Sequence, residues 1–330
     1  MVERISYEDA LHLVQDGPET SGPLAEKNVE GVSTSELKRL FTPKEDQLRR
    51  MRSDLKGGGE WQFGIRAFDE ATLGGARPGN LLTLIGKTHT GKSLLAMNMV
   101  ARNPNHRTLW VSPDETESMF WGKYGAMRME LSQKEWVSRL IREDQLAWER
   151  QSEVIANSTN LHFESTGMSV DDLDKAMRIA TSHLWDGRKP QVLIYDYLEL
   201  IRGGGAGDAA SVQSKIESFK QLVSDWRVIG IVIHQSGRGS GTRGQAGGID
   251  AGRFASTSES HFVIETWRRW DDTSLDEDTR TYYENEISVG LWKNKAGEGE
   301  KAEVNLTIDP SGRLLEPGVT WEQEQFNDFN

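Results

Sequence analysis

The 330-residue sequence has no cysteine, which excludes disulfides, thiolate metal sites and cysteine nucleophiles. It has no apolar run of about 18 residues, so no transmembrane helix and no membrane partner are expected. The N-terminus, MVERISYEDALHLV, mixes charges into its apolar residues and is no signal peptide. These absences suit a cytoplasmic protein. Positive charge is also in deficit: 39 Lys and Arg stand against 51 Asp and Glu, a net charge of -12. That argues against a broad basic surface coating duplex DNA. It leaves room for a narrow channel where a few Lys and Arg hold a single strand.

What is present describes a globular chain. The hydrophobic fraction is 36% and the charged fraction 27%, enough for a core and ordinary for a folded domain. The length suits one large α/β domain with an appendage, or two small domains. Residues 1–60 read as an N-terminal segment. Asp16–Gly31 is loop-like, and Ser35–Lys56 carries Leu37, Leu40, Phe41, Leu48, Met51 and Leu55 at helical spacing, interrupted near Thr42-Pro43. Gly57-Gly58-Gly59 reads as a hinge before a domain over 61–330.

From Trp61 onward strands and helices alternate. Strands are expected at Asn80–Ile85, Arg107–Ser112, Asn160–Glu164, Gln191–Tyr195 and Val228–His234. Helices are expected at Ser93–Arg102, through most of Glu115–Asn157, at Val170–Trp185 with Ser169 or Asp171 as cap, and at Ser211–Trp226. This alternation implies parallel strands joined by crossover helices. Late strands at His261–Trp267, Glu286–Trp292 and Ala302–Ile308 are closely spaced and suggest antiparallel additions at one edge. Two glycine-rich stretches, Gly203–Asp208 and Gly237–Ile249, follow strand ends, on the side where α/β sheets bind ligands. Trp110, Trp121, Trp136, Trp148, Trp185 and Trp226 lie in apolar periodic segments and are assigned to core or subunit interface.

Gly86-Lys87-Thr88-His89-Thr90-Gly91-Lys92-Ser93 satisfies G-x-x-x-x-G-K-[ST] between an apolar strand and a helix. Such a P-loop turns backbone N–H groups onto the phosphates of a nucleoside triphosphate, and the helix N-terminus adds partial positive charge. Lys92 then reaches the β- and γ-phosphates, and the Ser93 hydroxyl ligates Mg²⁺. His89 takes a variable position of the motif. Asp196, ending the strand QVLIYD, is placed as the second Mg²⁺ partner, through water. Asp114 and Glu115 follow the strand RTLWVS, where a carboxylate can orient the attacking water, and pattern alone does not separate them. Gln235, after VIGIVIH, is a candidate γ-phosphate sensor.

In this order the pieces resemble the hexameric replicative helicases of the DnaB type, within the RecA-like ATPases. The resemblance runs from about Trp61 to Ile308. It rests on the glycine-rich approach FGIRAFDEATLGGARPGNLL, the Asp-Tyr-Leu-polar-Leu motif in LIYDYLELI, His234-Gln235-Ser236, and Trp292-Lys293-Asn294-Lys295-Ala296-Gly297. It implies a RecA-like P-loop core with a mostly parallel twisted sheet, flanking helices and antiparallel C-terminal edge strands. It implies an ATP hydrolase that uses Mg²⁺ and moves along single-stranded DNA as a ring-shaped oligomer, a hexamer in the family, with replisome or loader proteins as further partners. Asp114 matches the family's catalytic glutamate by offset, and Glu115 has the matching chemistry one residue later. Lys293 matches a lysine inserted into the neighbouring subunit's site, and Lys295 falls where the family has an arginine finger. The change from Arg to Lys keeps the charge and loses the bidentate fork, so Arg268 or Arg269 is a candidate replacement. Arg202, Arg238 and Arg243, on loops facing the ring's channel, are the implied DNA contacts. The family's large N-terminal domain is missing, leaving the first 60 residues to supply a linker helix. Two alternatives share the core: a RecA-like recombinase or mediator forming filaments on DNA, and a non-motor ATP-dependent assembly switch.

Overall fold

The computed structural model describes residues 44–56, 61–203, 209–235, 244–247, 256–296 and 299–317. The chain divides into two compact units, Met1–Leu55 and Lys56–Asn330. Helix α1 (Lys44–Lys56) begins with Glu45 and Asp46, acids that suit the positive end of the helix dipole. Its Leu48 and Met51 are exposed.

The second unit is built on one sheet. Its strands are β1 (Leu81–Gly86), β2 (Thr108–Val111), β3 (Leu161–Glu164), β4 (Val192–Asp196), β5 (Ile229–Gln235), β6 (Phe262–Trp267), β7 (Glu286–Asn294), β8 (Ala302–Ile308) and β9 (Leu314–Leu315). The spatial order is β3-β2-β4-β5-β1-β6-β7-β8-β9. β3 through β6 pair in parallel and β6 through β9 pair antiparallel. β1 and β4 are buried along their whole length, as strands covered on both faces require; their side chains are accordingly mostly apolar, with no alternation of exposed and buried positions.

The helices are α2 (Arg66–Ala71), α3 (Lys92–Arg102), α4 (Glu117–Met129), α5 (Gln133–Ile141), α6 (Gln145–Asn157), α7 (Val170–Ile179), α8 (Ala209–Trp226), α9 (Ser256–Glu259) and α10 (Glu277–Tyr282). The mostly helical stretch expected over Glu115–Asn157 is made of three helices, α4, α5 and α6. Glu130 and Glu143 adopt positive φ and break the run. The cap of α7 is Ser169, in a reciprocal capping box with Asp172 rather than Asp171. The last turn expected of α7 is a π-helical stretch, Ala180–Leu184.

Trp110, Trp136 and Trp185 are fully buried. Trp121 and Trp226 pack at the edges of the core. Trp148 is 50% exposed, as are neighbouring Ile141 and Leu146 to a similar or greater degree. No helix among the described residues is long and apolar enough to cross a membrane.

Candidate nucleotide site

The ends of β1, β2, β4 and β5 meet at one edge of the sheet. Between β1 and α3 the chain must turn around a phosphate-sized space, and glycine makes this possible. Gly91 has φ +92, in the left-handed region. Gly86 has no room for a side chain: a Cβ there would lie 2.5 Å from the Thr266 carbonyl oxygen. The Thr90 hydroxyl braces the loop, donating to the Lys87 carbonyl at 2.8 Å and lying 2.9 Å from the Thr266 hydroxyl.

Lys92 is buried, and its amine donates to the carbonyls of Gly86 (3.0 Å) and Lys87 (2.7 Å). Burial lowers its pKa to about 8, against the pull of Asp196 and Glu199. The Ser93 hydroxyl donates to Asp196 Oδ2 at 2.6 Å. Asp196 is 6% exposed, and burial pushes its carboxyl up to about 6 despite the Ser93 hydrogen bond and Lys92. The carboxylates of Glu115 and Asp114 push in the same direction as burial.

A cleft of about 420 Å³ is lined by Thr88, His89, Gly91, Lys92, Ser93, Asp114, Glu115, Asp196, Tyr197 and Gln235, among others. It thus gathers the P-loop, both candidate base carboxylates, the candidate metal ligand Asp196 and the candidate sensor Gln235. Because β5 lies between β1 and β4 in the sheet, Gln235 stands between the loop and Asp196. The donor set, one hydroxyl beside one carboxylate, fits a hard dication that keeps water and phosphate oxygens as its other ligands. Among the described residues, no group of three or more His, Asp or Glu could hold a metal by itself.

Asp114 and Glu115 differ in their surroundings. Glu115 is paired with Lys123 of α4, Nζ to Oε1 2.5 Å. Asp114 is exposed. The Tyr197 hydroxyl is raised by burial first, then by the charges of Asp114, Glu199 and Asp196.

Three contributors escaped pattern reasoning. Lys123 lies on a helix face with no motif of its own. Thr266 sits on a late strand, far from the P-loop in the chain. Glu199 is the polar residue of the Asp-Tyr-Leu motif, and its carboxylate accepts the Gln235 N–H (3.3 Å) and lies 3.0 Å from His234 Nδ1.

The remaining candidates lie elsewhere. β6 pairs with β7 so that Val263 faces Lys293, while Thr266 faces Gly86 of β1. Lys293 is therefore on the far half of the sheet from its own P-loop, with its amine held by the carbonyls of Thr257 and Ser258, each at 2.7 Å. The Lys295 N–H bonds the His261 carbonyl, further down still, and its side chain is exposed. Arg268 lines a cavity of about 310 Å³ beside Ser93 and Lys123, on its own subunit's side, and its guanidinium donates to the Glu284 carbonyl. Arg269 lies over the ring of Tyr283, 4.0 Å from its centre. Arg202 is exposed after β4, bridged to Ser169. Arg238 and Arg243 lie outside the described residues, as does the tail Trp321–Asn330.

Comparison with known families decides what this geometry belongs to. The model of the DnaB-like helicase C-terminal domain matches residues 61–247, more than half the chain. The chain belongs to that family. It is accordingly an ATP-hydrolysing helicase with a RecA-like core, and the P-loop just described is its candidate nucleotide site. The matched stretch of the DnaB-like domain contains every residue lining the 420 Å³ cleft; Lys293 and Lys295 lie beyond it.

Among solved structures, a DnaB-like replicative helicase described with its interactions with primase aligns at 16% identity and a TM-score of 0.64, covering 85% of this chain and 70% of that one. A second solved structure, an ATPase domain, aligns at 15% identity and a TM-score of 0.66, covering 84% of this chain and 99% of that one. At such identities these likenesses carry the fold. No curated protein matches the sequence.

Proposed function

We propose that this DnaB-type helicase translocates on single-stranded DNA as a ring-shaped oligomer, hydrolysing ATP at sites shared between neighbouring subunits. In each site Lys92 and the P-loop amides hold the phosphates, with Ser93 and Asp196 on Mg²⁺. That ion, when bound, would neutralise negative charge on the phosphates. Asp114 accepts a proton from the attacking water, and the Gln235 amide senses the γ-phosphate. Asp114 is favoured over Glu115 as base because Lys123 holds the Glu115 carboxylate in an ion pair, whereas Asp114 is exposed to the water of the cleft. Lys293 and Lys295 complete the site from the next subunit. Arg202, Arg238 and Arg243 contact the phosphates of the strand, and replisome or loader proteins bring the ring to its template.

The position of the two lysines carries this reading. Lys293 is opposite Val263, three residues along β6 from the level of the P-loop, or about 10 Å at the rise of a strand. Two strand spacings add about 10 Å sideways. A lysine stem does not span that distance, which supports a role for these cations away from their own chain's P-loop.

Mixing two inactive proteins tests it. Lys92→Ala removes the phosphate contact and keeps Lys295; Lys295→Ala does the reverse. In a shared site, a mixture pairs the intact P-loop of one with the intact lysine of the other. ATP hydrolysis and fork unwinding should recover in the mixture to a sizeable fraction of the wild-type rate. A mixture no more active than its components would place the lysines outside the site.

A further inference from the structure

The end of β6 touches two elements at once. On one side is the P-loop, through the Thr266–Thr90 hydroxyl pair at 2.9 Å. One residue earlier, Glu265 is 3% exposed. Its Oε1 accepts the Gly247 N–H at 2.8 Å, and its Oε2 accepts the Trp292 indole N–H at 2.7 Å. Trp292 stacks on Trp267, 6.0 Å between ring centres. Gly247 belongs to the segment that follows Gln235 and β5. In its described part, Gln245 donates to Asp272 Oδ2 at 3.0 Å, and Gly244 approaches the Asp272 backbone so closely that a Cβ would lie 2.1 Å from its nitrogen. Lys87, Thr88 and Thr90 share the lining of a cavity of about 30 Å³ with Gly244, Gln245 and Glu265.

A buried carboxylate is costly unless its oxygens are hydrogen-bonded. Each oxygen of Glu265 takes a donor from a different part of the chain, so the residue ties the backbone at Gly247 to Trp292 of β7. This tie is independent of Gln235.

We infer that Glu265 is a positioning residue: through Thr266 and Thr90 it transmits rearrangement of the P-loop to Gly247 and the loop after Gln235. This rests on the reading of that loop as the strand-facing one. Transmission of this kind requires that the two nucleotide states differ in the contacts along the path.

Two variants of the full chain test it. Thr266→Val keeps the shape and removes the hydroxyl that meets Thr90. Glu265→Gln turns one acceptor into an NH₂ donor, which cannot pair with an N–H. Hydrogen exchange at the Gly247 amide is measured with and without a non-hydrolysable ATP analogue. In the wild type the analogue should slow exchange about tenfold, the scale of one charge-assisted hydrogen bond. Thr266→Val should retain the exchange rate of the free protein and lose the response to the analogue. Glu265→Gln should exchange about tenfold faster in both states. The inference falls if the wild type shows no response, or if Thr266→Val responds as the wild type does; the second criterion stands even if Glu265→Gln fails to fold. Stimulation of ATP hydrolysis by single-stranded oligonucleotide is read alongside, as a ratio to each protein's own unstimulated rate. A wild type that is not stimulated would overturn the strand-facing reading of the loop alone, while the exchange data still decide the link.

Discussion

Burial pulls Lys92 and Asp196 toward neutrality from opposite directions. Lys92 loses its proton near pH 8 and Asp196 near pH 6, so both are charged only between these values. Phosphate binding needs the ammonium and metal binding needs the carboxylate. The free protein's kcat/KM for ATP should therefore rise with pH through about 6 and fall above about 8, which steady-state rates across that range will show. Bound phosphates favour the ammonium and a bound dication favours the carboxylate, so the profile of kcat should be broader on both sides. The same scale distinguishes the neighbouring acids. Asp114→Asn should lower kcat by at least about 100-fold, whereas Glu115→Gln should cost less than about tenfold. The reverse order would assign the base to Glu115 despite its ion pair with Lys123.

At the scale of elements, the helices α4, α5 and α6 show how close packing rests on glycine. A Cβ on Gly125 would lie 2.1 Å from Gln151 Oε1 and 2.9 Å from Trp136 Nε1. Those two atoms form a buried hydrogen bond of 2.9 Å. Gly125→Ala gains about 1 kcal/mol of helix propensity and loses more through overpacking and a broken buried bond, for a net loss of about 2 kcal/mol. Gly122 is the internal control: its Cβ would meet Val137 at 3.4 Å, an ordinary contact. Gly122→Ala should be neutral or stabilising by up to about 1 kcal/mol. Denaturant melts of the two variants check both signs.

These helices also mark where the sequence ceases to be legible. The strand–P-loop–helix unit, the β-branched strands β4 and β5 and the terminal strand β8 follow from local apolar runs, and observed ends differ from expected ones by a residue or two. The two-residue β9 and the short α2 and α10 carry no periodicity long enough to read. The breaks at Glu130 and Glu143 depend on backbone conformations that no residue type there announces. In the site, the P-loop was legible because its chemistry needs contiguous residues. Lys123, Thr266 and Glu199 were not, since each acts through a partner distant in the chain.

At the scale of the whole molecule, the sheet has two halves with separate tasks. The parallel half presents the nucleotide cleft, and the antiparallel half carries Lys293 and Lys295 to the opposite end. In a ring this gives every subunit one donor edge and one acceptor edge, so a heterologous contact repeats until it closes. The exposed Lys295 and the carbonyl-held Lys293 suggest that engagement with a neighbour exchanges two internal hydrogen bonds for contacts to phosphate. Sedimentation with and without a non-hydrolysable ATP analogue should accordingly show nucleotide-dependent assembly, and Lys293→Ala should reduce it.

The pairing of β1 with β6 bears on how the domain can be cut. The stretch recognisable by family likeness stops at residue 247, ahead of β6. The strand that carries the phosphate loop is hydrogen-bonded to β6 along five residues, and Asn98 and Arg102 of α3 hold the backbone of Gly312 and Leu314. A fragment ending at residue 247 would leave β1 as a bare, largely apolar sheet edge and strip α3 of these partners. Such an edge invites pairing with another chain. The fragment should precipitate or form intermolecular β-structure, whereas one ending after Glu316 keeps β9 and should remain dispersed, as light scattering of the two will reveal.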